Sequence, residues 1–364
     1  MGRVPASPVA ALGFFLLLAA AVTIPGAAAA GNFTCTVSGR CEAIAGYAPL
    51  TPTTLSAVKT LFGVKSIRSL LAANSQPPST PPSSPVPNGT VVRVPFPCRC
   101  SGGRGLSDGR RPLYTVRKDD GLDAIARNSF SGLLTSQEIA AANNIPDPNV
   151  ILVGQVLWIP LPCSCDDVDG LPTVHYAHKV ARGSSVEGIA TEFGTTPERL
   201  MRVNGIQDPR SLQAEAILDV PLRACNSSIE RTAEDGWLRV PNGSYALTAN
   251  NCVQCSCSST PSWVLQCDPA RGVANSTECP AVKCGGGSDL FLGTTTTTTS
   301  GDGCGTTCSY AGYARNGTIL TALTRPQTCS GGGSSSSSSS SPAGLAAWRW
   351  RWVGLGFLSL LIFC

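Results

Sequence analysis

The residues best suited to chemistry in this chain are cysteines that stand in close pairs. Among its 17 cysteines, Cys98 and Cys100 form one Cys-x-Cys pair, and Cys163 and Cys165 form another. Paired thiolates ligate zinc in proteins that fold in a reducing compartment, whereas paired cysteines of secreted proteins form disulfides. The compartment in which the chain folds therefore decides between a metal centre and a covalent framework.

The start of the chain indicates secretion. Residues 12–24 form an apolar run behind Arg3, and the small residues Ala27–Ala30 follow. A charged start, a short apolar core and small residues at the cleavage point are typical of a signal peptide. We therefore expect residues 1–30 to be removed and the cysteines to oxidise.

The other end of the chain predicts a lipid anchor. Ser and Gly fill residues 330–341, a short spacer follows, and an apolar tail runs from Val353 to the last residue. This order is typical of a GPI-attachment signal, with the attachment residue within Gly331–Ser341 and residues 342–364 removed. A transmembrane helix is the alternative, but the tail is shorter than the roughly 20 apolar residues that a span requires.

Removal of the tail would take Cys364 away and leave an even number of cysteines, which favours disulfides over zinc. The formal charge of +4 includes Arg3, Arg349 and Arg351 of the removed segments, so the remainder is close to neutral. This balance indicates no nucleic-acid partner. Six Asn-x-Ser/Thr sequons predict N-glycosylation of an exposed glycoprotein, at Asn32, Asn88, Asn226, Asn242, Asn275 and Asn316.

Other polar clusters give weak signals. His175 and His178 form a His-x-x-His pair that could bind a metal, but both fall in a predicted strand, and we favour a role on the strand surface. The acidic run 166–169 lacks the spacing of a calcium loop, and we interpret it as a solvated linker. No paired carboxylates or serine–histidine pattern indicates catalysis. We predict no enzymatic activity, metal or cofactor.

Three repeats position these residues, and the middle one is the clearest. A β pattern at Tyr114–Val116 precedes Asp120, which we expect to cap a helix with Leu122 on its apolar face. A capping-box pattern, Thr135–Glu138, opens a second helix, and Val156–Pro160 forms a closing strand. The predicted order is β-α-α-β.

The flanking repeats follow the same plan. In the third, a capping box at Ser184–Glu187 opens one helix, and Thr195 or Thr196 caps the next before Pro197. In the first, Asn74 corresponds to Asn143 of the middle repeat, but a Pro/Ser-rich insertion at Gln76–Pro87 predicts an extended loop.

The C-terminal region predicts a different kind of unit. It is rich in cysteine, and Leu238–Tyr245 is typical of strand–turn–strand. The fold class is thus α+β, with tandem βααβ modules followed by a small Cys-rich β domain. We expect modules at 31–100, 112–162 and 174–223, and the β domain at 225–329.

These motifs resemble the LysM module, and with the Cys-x-Cys spacers and the anchor signal they resemble plant LysM GPI-anchored receptor-like proteins. The runs Trp158–Cys165 and Tyr245–Cys252 are most similar to the subgroup that senses peptidoglycan and chitin. The resemblance implies that disulfides clamp the modules. The implied pairs are Cys35–Cys100, Cys41–Cys165, Cys98–Cys163 and, further on, Cys225–Cys257.

The resemblance also implies a groove for N-acetylglucosamine polymers between two loops of the middle repeat. Its residues would be Lys118, Asp119, Asp120, Gly121, Leu122, Ile145, Pro146, Asp147, Pro148, Asn149, Val150, Ile151 and Leu152. Asp120 and Leu122 could instead cap and pack the helix, and Ile145 and Leu152 could be core residues. The third repeat offers matching loops at 182–186 and 206–212, whereas Thr51–Thr53 make binding by the first doubtful.

The implied function is a pattern-recognition receptor on the extracellular face of the plasma membrane. It would bind chitin and peptidoglycan oligosaccharides and signal with a transmembrane LysM receptor kinase. Homo- or hetero-oligomers with related LysM proteins are a further expectation. A wall-associated structural protein without signalling is the alternative.

Overall fold

The computed structural model describes Gly2 and residues 33–325, except residues 261, 271–278, 280, 286–288 and 297–304. The expected signal peptide, apart from Gly2, and the expected GPI signal lie outside the described residues. Within the described residues, no helix combines the length and apolar character needed to cross a membrane.

The first repeat contains two capped helices between long strands. Thr54 and Ser66 accept hydrogen bonds at the N-termini of its helices. The insertion is not a free loop, because its short strand β3 pairs with β2 and buries Val86. The elements are β1 Gly39–Tyr47, β2 Thr53–Thr54, α1 Leu55–Phe62, α2 Ile67–Ala73, β3 Pro85–Val86, β4 Val92–Ser101 and the hairpin strand β5 Arg104–Ser107.

The second repeat confirms the β-α-α-β order. Its elements are β6 Leu113–Thr115, α3 Leu122–Ala124 with a π-helical turn Ile125–Ser129, α4 Ser136–Ala142 and β7 Val156–Trp158. The capping box at α4 forms between Thr135 and Glu138. The prediction that Asp120 caps α3 is wrong, since Gly121 is the N-cap and Asp120 bonds to the preceding turn.

The third repeat has the same order: β8 Thr173–Lys179, α5 Val186–Glu192, α6 Pro197–Asn204 and β9 Ile217–Arg223. Thr196 caps α6 with Pro197 directly after it. The predicted capping box at Ser184 is wrong. Ser185 is the cap and accepts the N–H of Gly188, which has no side chain to complete a box.

The C-terminal domain consists of two small antiparallel sheets. One contains β10 Tyr245–Thr248, β11 Val253–Ser256 and β12 Gln266–Pro269, and the other β13 Thr295–Thr296, β14 Thr306–Tyr313 and β15 Ile319–Thr324. The strand predicted before Asn242 does not form, because Leu238 closes a turn with Asp235. Among its described residues, this domain contains the disulfides Cys225–Cys257, Cys252–Cys279, Cys255–Cys267 and Cys284–Cys308.

A five-stranded sheet in the order β5-β4-β1-β8-β9 unites the first and third repeats. The parallel pairing of β1 with β8 aligns Ile44 with Tyr176. The second repeat keeps its own two-stranded sheet but shares a hydrophobic core with the first. A chain of edge-to-face rings crosses that core, with centroids 5.1, 5.5 and 5.9 Å apart, through Tyr47, Phe62, Phe130 and Tyr114.

Three disulfides are the pairs that the family resemblance implies: Cys35–Cys100, Cys41–Cys165 and Cys98–Cys163. The first closes the first repeat, and the other two join that repeat to the segment after β7. The sulfur atoms of Cys41, Cys98 and Cys165 lie within 4.8 Å of one another. Because each is already bonded to sulfur, none is a thiolate that could ligate zinc.

Candidate functional site

The two loops of the second repeat meet at its closing strand. The carbonyl of Val116 accepts the N–H of Gly154, and the N–H of Val116 donates to the carbonyl of Gln155, each at 2.8 Å. These reciprocal bonds hold the loop after β6 beside the loop before β7. The two loops that the resemblance implies for glycan binding are therefore neighbours in the folded second repeat.

The first loop is shaped by Asp120. Its carboxylate accepts the N–H of Arg117 at 2.7 Å and the hydroxyl of Tyr114 at 2.9 Å. Burial, together with the bond to Asp120, raises the pKa of Tyr114, so this hydroxyl remains a donor at physiological pH. Asp119 adopts a left-handed conformation with φ of 67°. Lys118, Asp119 and Gly121 are left exposed.

The second loop presents apolar side chains to water. Asp147 accepts hydrogen bonds from the backbone and side chain of Asn149, and the N–H of Leu152 donates to the side chain of Gln155. Val150, Leu152 and Val153 are 62%, 71% and 69% exposed. A rigid turn that holds three such side chains in solvent is a surface suited to the apolar faces and acetamido methyl groups of sugars.

The structure divides the predicted binding residues into two groups. Leu122 is a core residue, only 2% exposed, and Ile145 and Ile151 pack partly against the same core. Asp120 shapes its turn. The exposed members are Lys118, Asp119, Gly121, Pro146, Asp147, Asn149, Val150 and Leu152, and Pro148 is half-buried. Val153, which is not among the binding residues predicted from the sequence, is also exposed and extends this surface.

The three repeats share this architecture, but only in part. In the third repeat Val180 makes the same two bonds, with Glu215 and Ala216. In the first, the carbonyl of Pro49 accepts the N–H of Gly89, but the reciprocal bond is missing because proline has no N–H. The paired strands β2 and β3 also lie in its loop region.

The apolar surface of the second repeat has no counterpart in the third. The hydrogen-bond register aligns Gln155 with Ala216, and hence Leu152 with Gln213 and Val150 with Ser211. Polar side chains thus replace two of the three exposed apolar ones, and the smaller Ala214 stands at the position of Val153. The second repeat is therefore the better candidate for the site.

One asparagine in each repeat joins the second helix to the closing strand. Asn143 donates to the carbonyls of Ile139 and Trp158 at 2.8 and 2.7 Å and accepts the N–H of Trp158 at 2.8 Å. Asn74 and Asn204 make the same three bonds in their own repeats. The predicted equivalence of Asn74 and Asn143 is confirmed, and the bonds fix the start of the second loop.

The histidines play different roles from the one expected. His175 is buried rather than on the strand surface, and it lies 2.8 Å from both oxygens of Asp219 and 2.8 Å from the carbonyl of Asp166. Two acceptors require a proton on each ring nitrogen, and the Asp219 carboxylate raises the pKa of His175 despite the burial of the ring. His178 packs against Phe193, and burial lowers its pKa to about 4.

The acidic run is not a solvated linker. Asp166 accepts the N–H groups of Thr36 and Val37, Asp167 pairs with Arg239, and Asp169 pairs with both Arg199 and Arg202 on α6. These bonds connect the N-terminal segment, the C-terminal domain and the third repeat. The run is therefore a junction between parts of the molecule.

Four of the sequon asparagines can be placed, and all are exposed: Asn88, Asn226, Asn242 and Asn316. Asn32 and Asn275 lie outside the described residues. Asn242 uses its Oδ1 to accept the N–H of Ser259, which leaves the Nδ2 atom available for a glycan.

Comparison with known proteins identifies relatives that span most of the chain. A family described as LysM domain matches residues 114–160 and 178–221, in the second and third repeats. The chitin elicitor-binding protein of Oryza sativa subsp. japonica is 45% identical over 314 residues, 84% of this chain and 85% of that protein. LysM domain-containing GPI-anchored protein 2 of Arabidopsis thaliana is 45% identical over 272 residues, 74% of this chain and 75% of that protein. A solved receptor like kinase ectodomain, 26% identical, aligns with 51% of this chain and 94% of its own, at a TM-score of 0.43.

Proposed function

Because the chain belongs to the family of plant LysM domain-containing GPI-anchored proteins, we propose that it is a cell-surface receptor in innate immunity that binds glycans containing N-acetylglucosamine. The second repeat supplies the principal site. The observation that carries this proposal is the rigid pair of loops with Val150, Leu152 and Val153 exposed beside backbone polar groups.

The free energy of binding at an exposed surface favours a chain of sugars over a single one. Each hydrogen bond to an acetamido group contributes about 0.5–1.5 kcal/mol, whereas association costs at least about 4 kcal/mol of lost freedom. A shallow surface therefore needs several sugars to bind measurably. Chitin and peptidoglycan both offer repeated N-acetylglucosamine units, and we propose both as ligands.

The proposed cellular setting follows from the family. A GPI lipid would hold the protein on the extracellular face of the plasma membrane, and a transmembrane LysM receptor kinase would carry the signal, with related LysM proteins as further partners. We propose that the protein binds glycans without cleaving them. A non-signalling, wall-associated glycan-binding protein is the second candidate, and loss of a chitin response on deletion of the gene would speak against it.

The test is calorimetric titration of the secreted protein with chitin oligomers of increasing length and with soluble peptidoglycan. Leu152→Asp places a charge on the exposed surface, so we expect the affinity to fall at least about tenfold while the fold is retained. Leu50→Asp is a matched control, because this leucine of the first repeat is 60% exposed. Equal binding by both variants would contradict a site in the second repeat, and no heat with either glycan would contradict the proposed ligand class.

A further inference from the structure

A second cleft lies between the first repeat and the C-terminal domain. It has a volume of about 420 Å³. One wall is formed by β1, β4 and α2, and the other by residues 234–251. Hydrogen bonds from Ser75 to the carbonyl of Gly243 and from Tyr245 to the carbonyl of Gln76 hold the two walls together. The size matches sites that accept small molecules.

Most charged residues that line this cleft already have partners. Arg40 pairs with Asp108 at 2.5 Å, Glu234 pairs with Arg315 at 3.2 Å, and Arg239 pairs with Asp167. Asp235 accepts the hydroxyls of Thr248 and Tyr310, each at 2.6 Å. Each of these groups already has a polar partner within the protein, so a ligand would have to compete with that partner.

Three charged residues of the cleft have no ion pair or side-chain hydrogen bond among the described residues: Glu42, Lys65 and Arg111. Glu42 lies on β1 on the same face as Ile44, and the residue is half-buried. Burial raises the pKa of Glu42 to about 7. A carboxylate in this setting gains stability from any cationic group that enters the cleft.

The two basic residues stand together at the end of α1. Lys65 follows Gly63, the C-cap of α1, by two residues. A Cβ atom placed on Gly63 would lie 3.5 Å from the guanidinium of Arg111. Lys65 and Arg111 therefore bring two positive charges to this end of the cleft, where they can bind an anion.

The opposite wall adds an aromatic surface and a shaped turn. Trp237 lines the cleft and uses its indole N–H to bond the carbonyl of Glu234, which fixes the ring. Ala249, Asn250 and Asn251 follow one another with φ of 47°, 57° and 68°. Consecutive left-handed residues without glycine are costly and concentrate at binding and switch sites.

We propose that this cleft binds a small zwitterionic ligand of the size of a short peptide, with its ammonium group on Glu42 and its carboxylate on Lys65 and Arg111. Peptidoglycan carries peptides with such groups, whereas chitin carries neither charge. The cleft would then distinguish the two glycans. This link to peptidoglycan rests on the proposed function, but the charge preference of the cleft does not.

The test uses the tripeptide Ala-Glu-Lys as the probe, titrated into the full secreted protein. Two further probes remove one charge type each: the same peptide with acetylated amines and the same peptide with amidated carboxyls. We expect the unmodified peptide to bind at least about tenfold more tightly than either. Glu42→Gln should remove the difference between the free and acetylated amines and preserve the preference for free carboxyls.

Matched variants complete the design. Lys65→Gln should weaken binding of the unmodified peptide, whereas Lys59→Gln, on α1 but outside the cleft lining, should not. Equal binding of all three peptides, or an unchanged amine preference in Glu42→Gln, would overturn the inference. Chitin titrations of the same variants report on the second repeat independently, so the two proposals fail separately.

Discussion

At the scale of single residues, polar side chains that bridge elements carry much of the specificity of this fold. Asn74, Asn143 and Asn204 each satisfy two carbonyls and one N–H between the second helix and the closing strand of a repeat. Their spacing was visible in the sequence, but their function was not, because it depends on which strand returns beside the helix.

Asn143→Ala should lower the stability of the second repeat by about 2 kcal/mol, because it leaves backbone groups of Ile139 and Trp158 without partners. A lower midpoint in thermal denaturation is the expected result. The control is Asn149→Ala, whose side chain bonds only to the exposed Asp147. If the two variants have the same midpoint of thermal denaturation, Asn143 does not stabilise the repeat by bridging its helix and strand.

The His175–Asp219 pair predicts a pH dependence of stability. Because the folded protein raises the pKa of His175, the pair stabilises fully below the unfolded value near 6.5, and this contribution is lost as pH rises through the folded pKa. Glu42 affects stability at lower pH, because burial raises its pKa from 4.5 to about 7. Its ionisation between those two values lowers the free energy of unfolding, and this change is complete at higher pH. Melting temperatures measured above pH 7 should therefore decrease with pH in the wild type and not in His175→Gln.

At the scale of elements, helix-capping patterns in the sequence predicted helix starts correctly where the predicted side chain bonds to the first turn of the helix. Thr135 with Glu138, and Thr196 with Pro197, produced the expected helix starts. The signals failed where a turn competed for the same side chain, as at Asp120, or where glycine occupied the third helical position, as at Gly188. The sequence predicted which loops form the candidate binding surface, but it did not show which of their residues are buried. Leu122 and Leu152 are the same residue type, and only the fold shows that the first is buried and the second exposed.

Thr135→Ala should cost about 1 kcal/mol by removing the cap of α4. The neighbouring Ser136→Ala is the control, since Ser136 bonds only to the exposed side chain of Gln137. Chemical denaturation of the two variants measures the difference, and a similar midpoint for both would show that the capping box contributes little. Glycan affinity should change less than stability, because the cap lies outside the loops.

At the scale of the whole molecule, the disulfides and the five-stranded sheet connect the first repeat to different partners. Two disulfides, Cys41–Cys165 and Cys98–Cys163, join the first repeat to the segment that follows β7. The pairing of β1 with β8 joins the first repeat to the third. This arrangement was beyond sequence reasoning, since nothing local indicates that the first and third repeats share a sheet. The Cys41–Cys165 bridge joins two cysteines that are 124 positions apart in the sequence.

Replacement of Cys41 and Cys165 together by serine should destabilise the protein by about 4 kcal/mol, because the unfolded chain regains the freedom of a long loop. Denaturant midpoints compared with the wild type measure the loss. Unchanged stability would mean that the remaining two bridges already restrict the unfolded chain. Mass spectrometry of the variant should show that Cys35–Cys100 and Cys98–Cys163 still form.

The third repeat has a mechanical consequence that follows from its lack of cysteine. No cysteine lies between Cys165 and Cys225, so the third repeat is a stretch without cross-links that can lengthen under tension. If a wall polymer pulls on the second repeat while the lipid end is held, the ladder of β8 and β9 should yield first. Optical tweezers should record a single extension of about 200 Å, the length of about 60 residues. Under tension the third repeat would thus unfold first, while the second repeat, which we propose binds the glycan, stays folded.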